Sequence, residues 1–247
     1  HPAIRIISTN EDTIRMAAEL AELVIAPAHV CSKLEEDNII RRTAVSLPDI
    51  VTDEEGLLKE LLSLKERGFS HFVCGNFTHL GVLSELGDVH IHGGTGLNIT
   101  NSYAVKRFSE LGLEDITASF ELKAAQFSAL SKEIPTGFYA YGRLPLMITR
   151  NCPVKAQSGC KNCSGGLTDR TGRFFPVECD ERKYARIRNC DILETSDRLS
   201  SFRGAAFALL DLGNMPFSQA KDVIMRYMEH SAPEGKFTRG LYFRGIK

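Results

Sequence analysis

Apolar and polar positions along this chain follow two periods, and the two take turns. Ile4-Arg5-Ile6-Ile7-Ser8 is a short apolar run of strand length. Asn10 then stands as a helix cap, and from Glu11 to Leu23 the residues Ile14, Ala17, Ala18 and Ala21 share one helical face. Val24 to Ala28 is apolar again and is broken at Pro27, and the charged stretch 32–42 reads as helix. Thr43 to Leu47 is a strand stopped by Pro48. Thr52 caps a helix whose stripe is Leu57, Leu58, Leu61, Leu62 and Leu64, closed by Gly68. His71 to Cys74 and Val89 to His92 are further strands, the second followed by Gly93-Gly94-Thr95-Gly96. Asn101 or Ser102 caps a helix through Leu111. Ile116 to Phe120 is a strand, Leu122 to Leu130 a helix, and Phe138 to Tyr141 a strand. Phe174–Val177 and Tyr184–Ile187 have the pattern of a small hairpin. Ala205 to Leu212 is a last buried strand and Ser218 to Met228 a last helix, and Pro233 to Lys247 reads as an extended tail.

Short strands that are apolar on both faces, alternating with helices, predict a parallel sheet covered by helices. A doubly wound sheet and a (β/α) barrel both satisfy that pattern. The regular units and the lack of a dinucleotide loop favour the barrel, complete or short of its first units; a full one needs about 250 residues. The predicted organisation is α/β, with barrel units over 1–150, a cysteine-rich module over 151–195, and a final strand–helix unit with tail over 196–247.

Candidate chemistry concentrates in four cysteines, Cys152, Cys160, Cys163 and Cys179, spaced C-x7-C-x2-C-x15-C. A C-x2-C pair turns two sulfurs toward one point, Pro153 stiffens the chain at Cys152, and Gly159, Gly165 and Gly166 let the backbone bend. Four thiolates suit a [4Fe–4S] cluster or structural zinc, although zinc usually takes two C-x2-C knuckles and only one is present. Unligated buried thiols are the plain alternative. Cys190 is a substitute ligand, and Cys31 and Cys74 lie in apolar runs as core residues.

Other residues carry weaker signals. His90 and His92 alternate on one strand, so both face the same way: toward a barrel mouth as catalytic groups, or into the barrel as a hydrogen-bonded polar pair. Glu121 follows a strand at its carboxyl end, a catalytic position in barrels, and also suits a helix start. Asn98 and Asn101 lie on a strand-to-helix crossing and line a substrate pocket or cap the helix. Gly93-Gly94-Thr95-Gly96 lacks the lysine of a phosphate loop. No G-x-S-x-G or H-E-x-x-H occurs.

Lys and Arg total 30 against 31 Asp and Glu, which leaves no global nucleic-acid footprint. Locally, however, Arg143, Arg150, Lys155, Lys161, Arg170 and Arg173 surround the cysteines. No apolar run is long enough to span a membrane, and His1-Pro2-Ala3-Ile4-Arg5 lacks the order of a signal peptide. Clustered cysteines, odd in number, then point to a reducing, cytoplasmic compartment and to metal ligation. The abrupt start in a strand-like segment points to a piece of a longer protein, whose other domains would be its partners.

Several segments together resemble the collagenase-like peptidase family (peptidase family U thirty-two). They are Tyr141-Gly142-Arg143-Leu144-Pro145-Leu146-Met147, Cys152-Pro153, Cys160 with Cys163, Leu167-Thr168-Asp169-Arg170 and Phe175-Pro176-Val177. Upstream, Gly96 to Ser102 and Ser119-Phe120-Glu121-Leu122 are similar to the family's Asn-rich crossing and its Ser-x-Glu-Leu element. The resemblance covers most of the chain and matches the carboxyl-terminal portion of a longer member. It implies a barrel-like fold and a cysteine-ligated iron–sulfur cluster. The family is labelled peptidase, while other members serve RNA base hydroxylation, with prephenate as a required metabolite, or ubiquinone synthesis. Two positions depart from its pattern. Pro145 stands where many members have their first cysteine, and Gly137 where many have a glutamate, which shifts the ligand set onto Cys152, Cys160, Cys163 and Cys179.

The expectation is an iron–sulfur protein acting in RNA base hydroxylation or a related modification. Glu121, His90 and His92 would be its catalytic groups. Asn98, Asn101, Arg143 and Arg150 would bind RNA, a protein substrate or a small carboxylate metabolite. A peptidase and a zinc-stapled, non-catalytic domain binding RNA or protein are the alternatives.

Overall fold

The computed structural model describes residues 1–180 and 184–244. Residues 181–183, between the two expected hairpin strands, lie outside them. The chain divides into two compact units. The first comprises His1–Tyr141, Thr195–Pro233 and the residues from Arg239 on; the second comprises Gly142–Glu194 and Glu234–Thr238. The second unit therefore opens at Gly142, ahead of the boundary at 151 read from the sequence.

In the first unit, β1 (Ala3–Ser8), β2 (Leu23–Pro27), β3 (Thr43–Ser46), β4 (His71–Cys74), β5 (His90–Gly93), β6 (Asp115–Ala118) and β7 (Thr136–Tyr141) form in sequence. With β12 (Phe207–Gly213) they close a parallel barrel in the order β1-β12-β7-β6-β5-β4-β3-β2. No barrel strand is missing: β12 pairs with β1 on one side and β7 on the other. Helices α1 (Glu11–Leu20), α2 (Ala28–Cys31), α3 (Asp37–Ile40), α4 (Glu54–Glu66), α5 (Phe77–Ser84), α6 (Ser102–Glu110), α7 (Ala124–Ala129) and α9 (Phe217–Glu229) lie in the crossings or follow the last strand. Among the described residues no helix is long and apolar enough to cross a membrane.

The local chemistry explains most of the boundaries. Asn10 accepts a hydrogen bond from the Thr13 amide, and α1 buries Ile14, Ala17 and Ala18. Asp53, not Thr52, caps α4 by accepting from the Gly56 amide, and Leu57, Leu61 and Leu64 form its buried stripe. The charged stretch 32–42 is helical only over α3, because Leu34 leaves the helical path to become fully buried. Cys31 and Cys74 are core residues. The stretch read as an extended tail is tied to the barrel at Tyr242, which is buried and whose hydroxyl donates to the Tyr139 carbonyl at 2.7 Å.

The second unit is a sheet in the order β8-β11-β10-β9, built from β8 (Pro145–Thr149), β9 (Gly166–Thr168), β10 (Phe174–Cys179) and β11 (Ala185–Arg188), with the short helix α8 (Pro153–Ser158). Its strand pairs are antiparallel. Its core is a cluster of Val154, Val177 and Ala185, with Cys152, Leu167 and Ile187 packed against it. Cores this small are commonly supplemented by a metal or by cross-links.

One glycine has a clear steric cause. A Cβ on Gly137 would stand 2.2 Å from the Phe207 ring, which is itself buried in the barrel. Phe207 thus fills the space that a larger side chain at 137 would take. Gly137→Ala is expected to destabilise the barrel by roughly 1–3 kcal/mol. Urea unfolding would show the loss as a lower midpoint, and replacing Phe207 by leucine in the same chain should recover part of it.

Candidate functional site

The inward face of the barrel follows from period two and from register. Arg5 on β1, His71 on β4, His90 and His92 on β5, Asp115 on β6 and Phe207 on β12 all point inside. Register pairs His71 with His90, and His92 with Asp115. His71, His90 and Asp115 are the first residues of their strands, so this group lies at the amino-terminal end of the barrel.

The group is a continuous polar chain. Arg5 Nε donates to Glu22 Oε2 at 2.7 Å, and its other arm lies 2.8 Å from Asp115 Oδ1. The second contact joins opposite charges without the alignment of a hydrogen bond, since Asp115 Oδ1 has no hydrogen-bond partner. Asp115 Oδ2 lies 2.7 Å from His92 Nδ1, and His92 Nε2 lies 2.9 Å from His71 Nδ1. The His71 ring stacks on His90, and His90 Nδ1 contacts Glu114. The Arg5 guanidinium also sits 3.7 Å over the Phe207 ring. Burial opposes ionisation of Asp115, but the hydrogen bond with His92 and the charge of Arg5 outweigh it and hold the carboxyl below its ordinary range. Burial, helped by the neighbouring His92 and His90, pushes His71 down to about 4.

His90 and His92 do face the same way, as alternation requires. They stand at the end of the barrel opposite the one where barrel enzymes place their chemistry. His92 is the buried, hydrogen-bonded polar residue of the plainer expectation. The carboxyl end carries a pair that the sequence reading missed: the Tyr139 hydroxyl donates to Asp211 Oδ2 at 2.9 Å. An acid inside the apolar run Ala205–Leu212 was the available signal. Glu121 is exposed just beyond the end of β6, and its amide donates to Ser119 Oγ at 3.2 Å.

The expected substrate-binding residues divide. Asn101 is the α6 cap, accepting from the Ala104 amide at 3.0 Å. Asn98 is exposed and takes a left-handed conformation, φ 47°, at the end of a 3-10 turn. Gly96 serves close packing, since a Cβ there would meet the Gly75 carbonyl oxygen at 2.5 Å. His79, also buried, accepts from the Gly75 amide through Nδ1 and meets the Pro48 carbonyl through Nε2, holding two loops together. In the second unit Arg143, expected to bind substrate, donates to the carbonyls of Asn189 and Cys190. Arg173 is paired with Asp191, whereas Arg150, Lys155, Lys161 and Arg170 are exposed.

The four cysteines lie in the second unit as free thiols. Cys152 ends the approach to α8, with Pro153 at the first helical position. The Lys155 backbone amide is the main influence lowering its pKa, and the Cys179 thiol adds to the effect. Cys179 is raised, first by burial and then by Cys152, Cys163 and Cys160, so the other three thiols lie within electrostatic reach of it. The Gly165 amide donates to Cys163 Sγ at 3.4 Å, and Gly165 has φ +75°, a conformation that favours glycine. No three His, Cys, Asp or Glu side chains among the described residues converge tightly enough to hold a single metal ion. The thiols are therefore gathered in one region without closing on one point. Cys190 lies beside Asn189.

No protein-family model and no curated protein matches the chain. Among solved structures it is similar to an archaeal fructose 1,6-bisphosphate aldolase, at 12% identity and TM-score 0.48, over 92% of this chain and 94% of that one. It is also similar to the spore cortex-lytic enzyme SleL of Bacillus megaterium QM B1551, at 10% identity and TM-score 0.44, over 92% and 74% of the two chains. Likeness of this degree carries no chemistry from one chain to another.

The depressed pKa of His71 fixes the sign of a pH effect. The unfolded chain binds a proton near the ordinary histidine pKa of about 6.5, while folded His71 stays neutral down to about 4. Stability should be greatest above the first value, fall as pH drops between the two, and stop falling from this cause below the second. Urea midpoints measured from pH 7 to 4 with a chelator present should show that slope, and His71→Gln should flatten it.

Proposed function

We propose that the second unit binds an iron–sulfur cluster through Cys152, Cys160, Cys163 and Cys179. We further propose that the protein works as a cluster-bearing barrel of the collagenase-like peptidase family, in RNA base hydroxylation or a related modification. The observation that carries the cluster reading is the placement of Cys152, Cys160 and Cys163 all within electrostatic reach of Cys179. They come from three separate places in the chain and meet in a unit whose own core is small.

Local features support the reading. The amides near Cys152 favour its thiolate, the form that binds metal. The Gly165 amide donates to the Cys163 sulfur, the kind of contact that tunes cluster potentials. One C-x2-C pair with two more distant cysteines suits a cluster better than structural zinc, which usually takes two C-x2-C knuckles. Bound by four protein ligands, such a cluster would have no open iron and would supply electron transfer or structural closure. Seven free thiols agree with a reducing, cytoplasmic setting.

The exposed cations Arg150, Lys155, Lys161 and Arg170 suit RNA phosphates or a small carboxylate. At the carboxyl end of the barrel, Asp211 with Tyr139, and the exposed Glu121, are the groups placed for acid–base work. A zinc staple is the second reading, favoured by the Gly165 amide bond at the C-x2-C turn, which serves zinc–thiolate sites equally well.

Anaerobic purification separates the two. The cluster reading expects a brown protein with about four irons and four sulfides per chain, bleached by dithionite, and colourless when Cys160 and Cys163 are both serine. Colourless protein carrying one zinc and no sulfide would overturn it. RNA from cells lacking this protein should lose a hydroxylated base by mass spectrometry. The same cells carrying the double cysteine variant should fail to regain it.

A further inference from the structure

We propose that Cys152 and Cys179 are a redox-active pair, which closes into a disulfide when the sulfurs are free of metal and a peroxide is present. The pairing rests on where the two thiols stand and holds with or without the cluster proposed above. Its regulatory meaning rests on that cluster.

Register places the pair. Cys179 is the last residue of β10, and alternation puts it on the same face as Val177. On the neighbouring strand Ala185 stands opposite Cys179. Val177 and Ala185 pack with Val154 of α8, and Cys152, the residue before that helix, packs against the same cluster. Both thiols therefore stand where α8 meets β10. There a side-chain hydrogen bond links the two sulfurs, whereas Cys163 and Cys160 act on Cys179 through charge.

Spacing by itself would nominate a different pair, since C-x2-C is the pattern of dithiol redox motifs and Cys160 and Cys163 have it. Those two sit on an exposed 3-10 turn, and the Cys163 sulfur is engaged by the Gly165 amide. Cys152 is part-buried and Cys179 exposed, so a small oxidant reaches the pair at α8 and β10. The unit also has a use for the bond. Its core is the three side chains Val154, Val177 and Ala185, and units so small are commonly held by a metal or a cross-link. A bridge from Cys152 to Cys179 ties the start of α8 to the end of β10 across that core.

One peroxide balances the reaction. The thiolate of one cysteine attacks a peroxide oxygen, the O–O bond breaks, and the hydroxide that leaves takes up the first thiol's proton as water. The second sulfur then attacks the sulfenic acid and expels hydroxide, which becomes water with the second thiol's proton. The two thiols lose two electrons in total, and the peroxide gains them. In a reducing compartment such a bond is transient, split again by exchange with a dithiol. While it lasts, two of the four sulfurs proposed for the cluster are spent, so the oxidised chain takes up no cluster until it is reduced.

Peptide mapping by mass spectrometry tests the proposal on the full chain, freed of metal by a chelator. Hydrogen peroxide is added and the remaining thiols are blocked with N-ethylmaleimide. The expected result is the loss of two of the seven thiols, recovered with dithiothreitol, and a linked peptide pair that joins Cys152 to Cys179. Cys179→Ser, at an exposed position, should lose at most one thiol and yield no bridge from Cys152. A Cys160–Cys163 bridge as the main product, bridges shared equally among the four cysteines, or no bridge at all would each overturn it. An iron-free chain that still closes the Cys152–Cys179 bond would sustain the pairing while refuting the cluster, so the two readings fail separately.

Discussion

A single buried carboxylate, Asp115, organises the barrel interior. An ionised acid inside a protein persists only when charge and hydrogen bonds replace its water. Arg5 from β1 and His92 from β5 do this for Asp115. Their positions then constrain the neighbouring side chains. Arg5 needs its own second partner and a flat surface, and it finds Glu22 and the Phe207 ring. Phe207 in turn occupies the space over Gly137. His92 needs something at its far nitrogen, and His71 stands there, stacked on His90. Strands β1, β4, β5, β6, β7 and β12 thus meet in one set of contacts around one charge. Taking away either partner of such a pair commonly costs about 3–5 kcal/mol, because the other is left buried and alone.

Much of the fold was legible because period and punctuation agreed. Leu57, Leu61 and Leu64 recur at helical spacing, and Asn10 and Asn101 cap the helices they precede. The strands were legible as apolar runs of the right length. What failed had local causes. Helix α5 was missed because Phe77-Thr78-His79-Leu80-Gly81-Val82 has a glycine and two β-branched residues, and only Asn76, which caps it, gives a signal. Strand β8 was missed because it opens on a proline and leaves Leu146, Met147 and Ile148 exposed, without alternation.

The site was legible in part, and for a different reason. Alternation correctly gave His90 and His92 a common face, but period two does not tell which end of a barrel a residue occupies. That depends on strand starts, and β5 begins at His90 itself. The partners of these histidines, Asp115 and Arg5, come from β6 and β1, at distances along the chain that no local pattern reports. Arg5 in Ile4-Arg5-Ile6 and Asp211 near the end of its apolar run were the visible anomalies: charges inside segments otherwise fit for burial. The cysteines, by contrast, were legible because two of them are three residues apart and a third precedes a proline.

The order in which the barrel acquires its strands has a consequence during synthesis. Strand β12 is the only described element that bonds to both β1 and β7, and it follows the whole cysteine-bearing segment along the chain. A ribosome therefore delivers every thiol of the quartet before it delivers the residues that join the first strand to the seventh. Until Phe207 to Gly213 emerge, β1 and β7 remain open edges, each able to pair with a stray strand. Ring closure comes late in translation by topology alone, and chains arrested before that point carry all seven cysteines and no finished barrel.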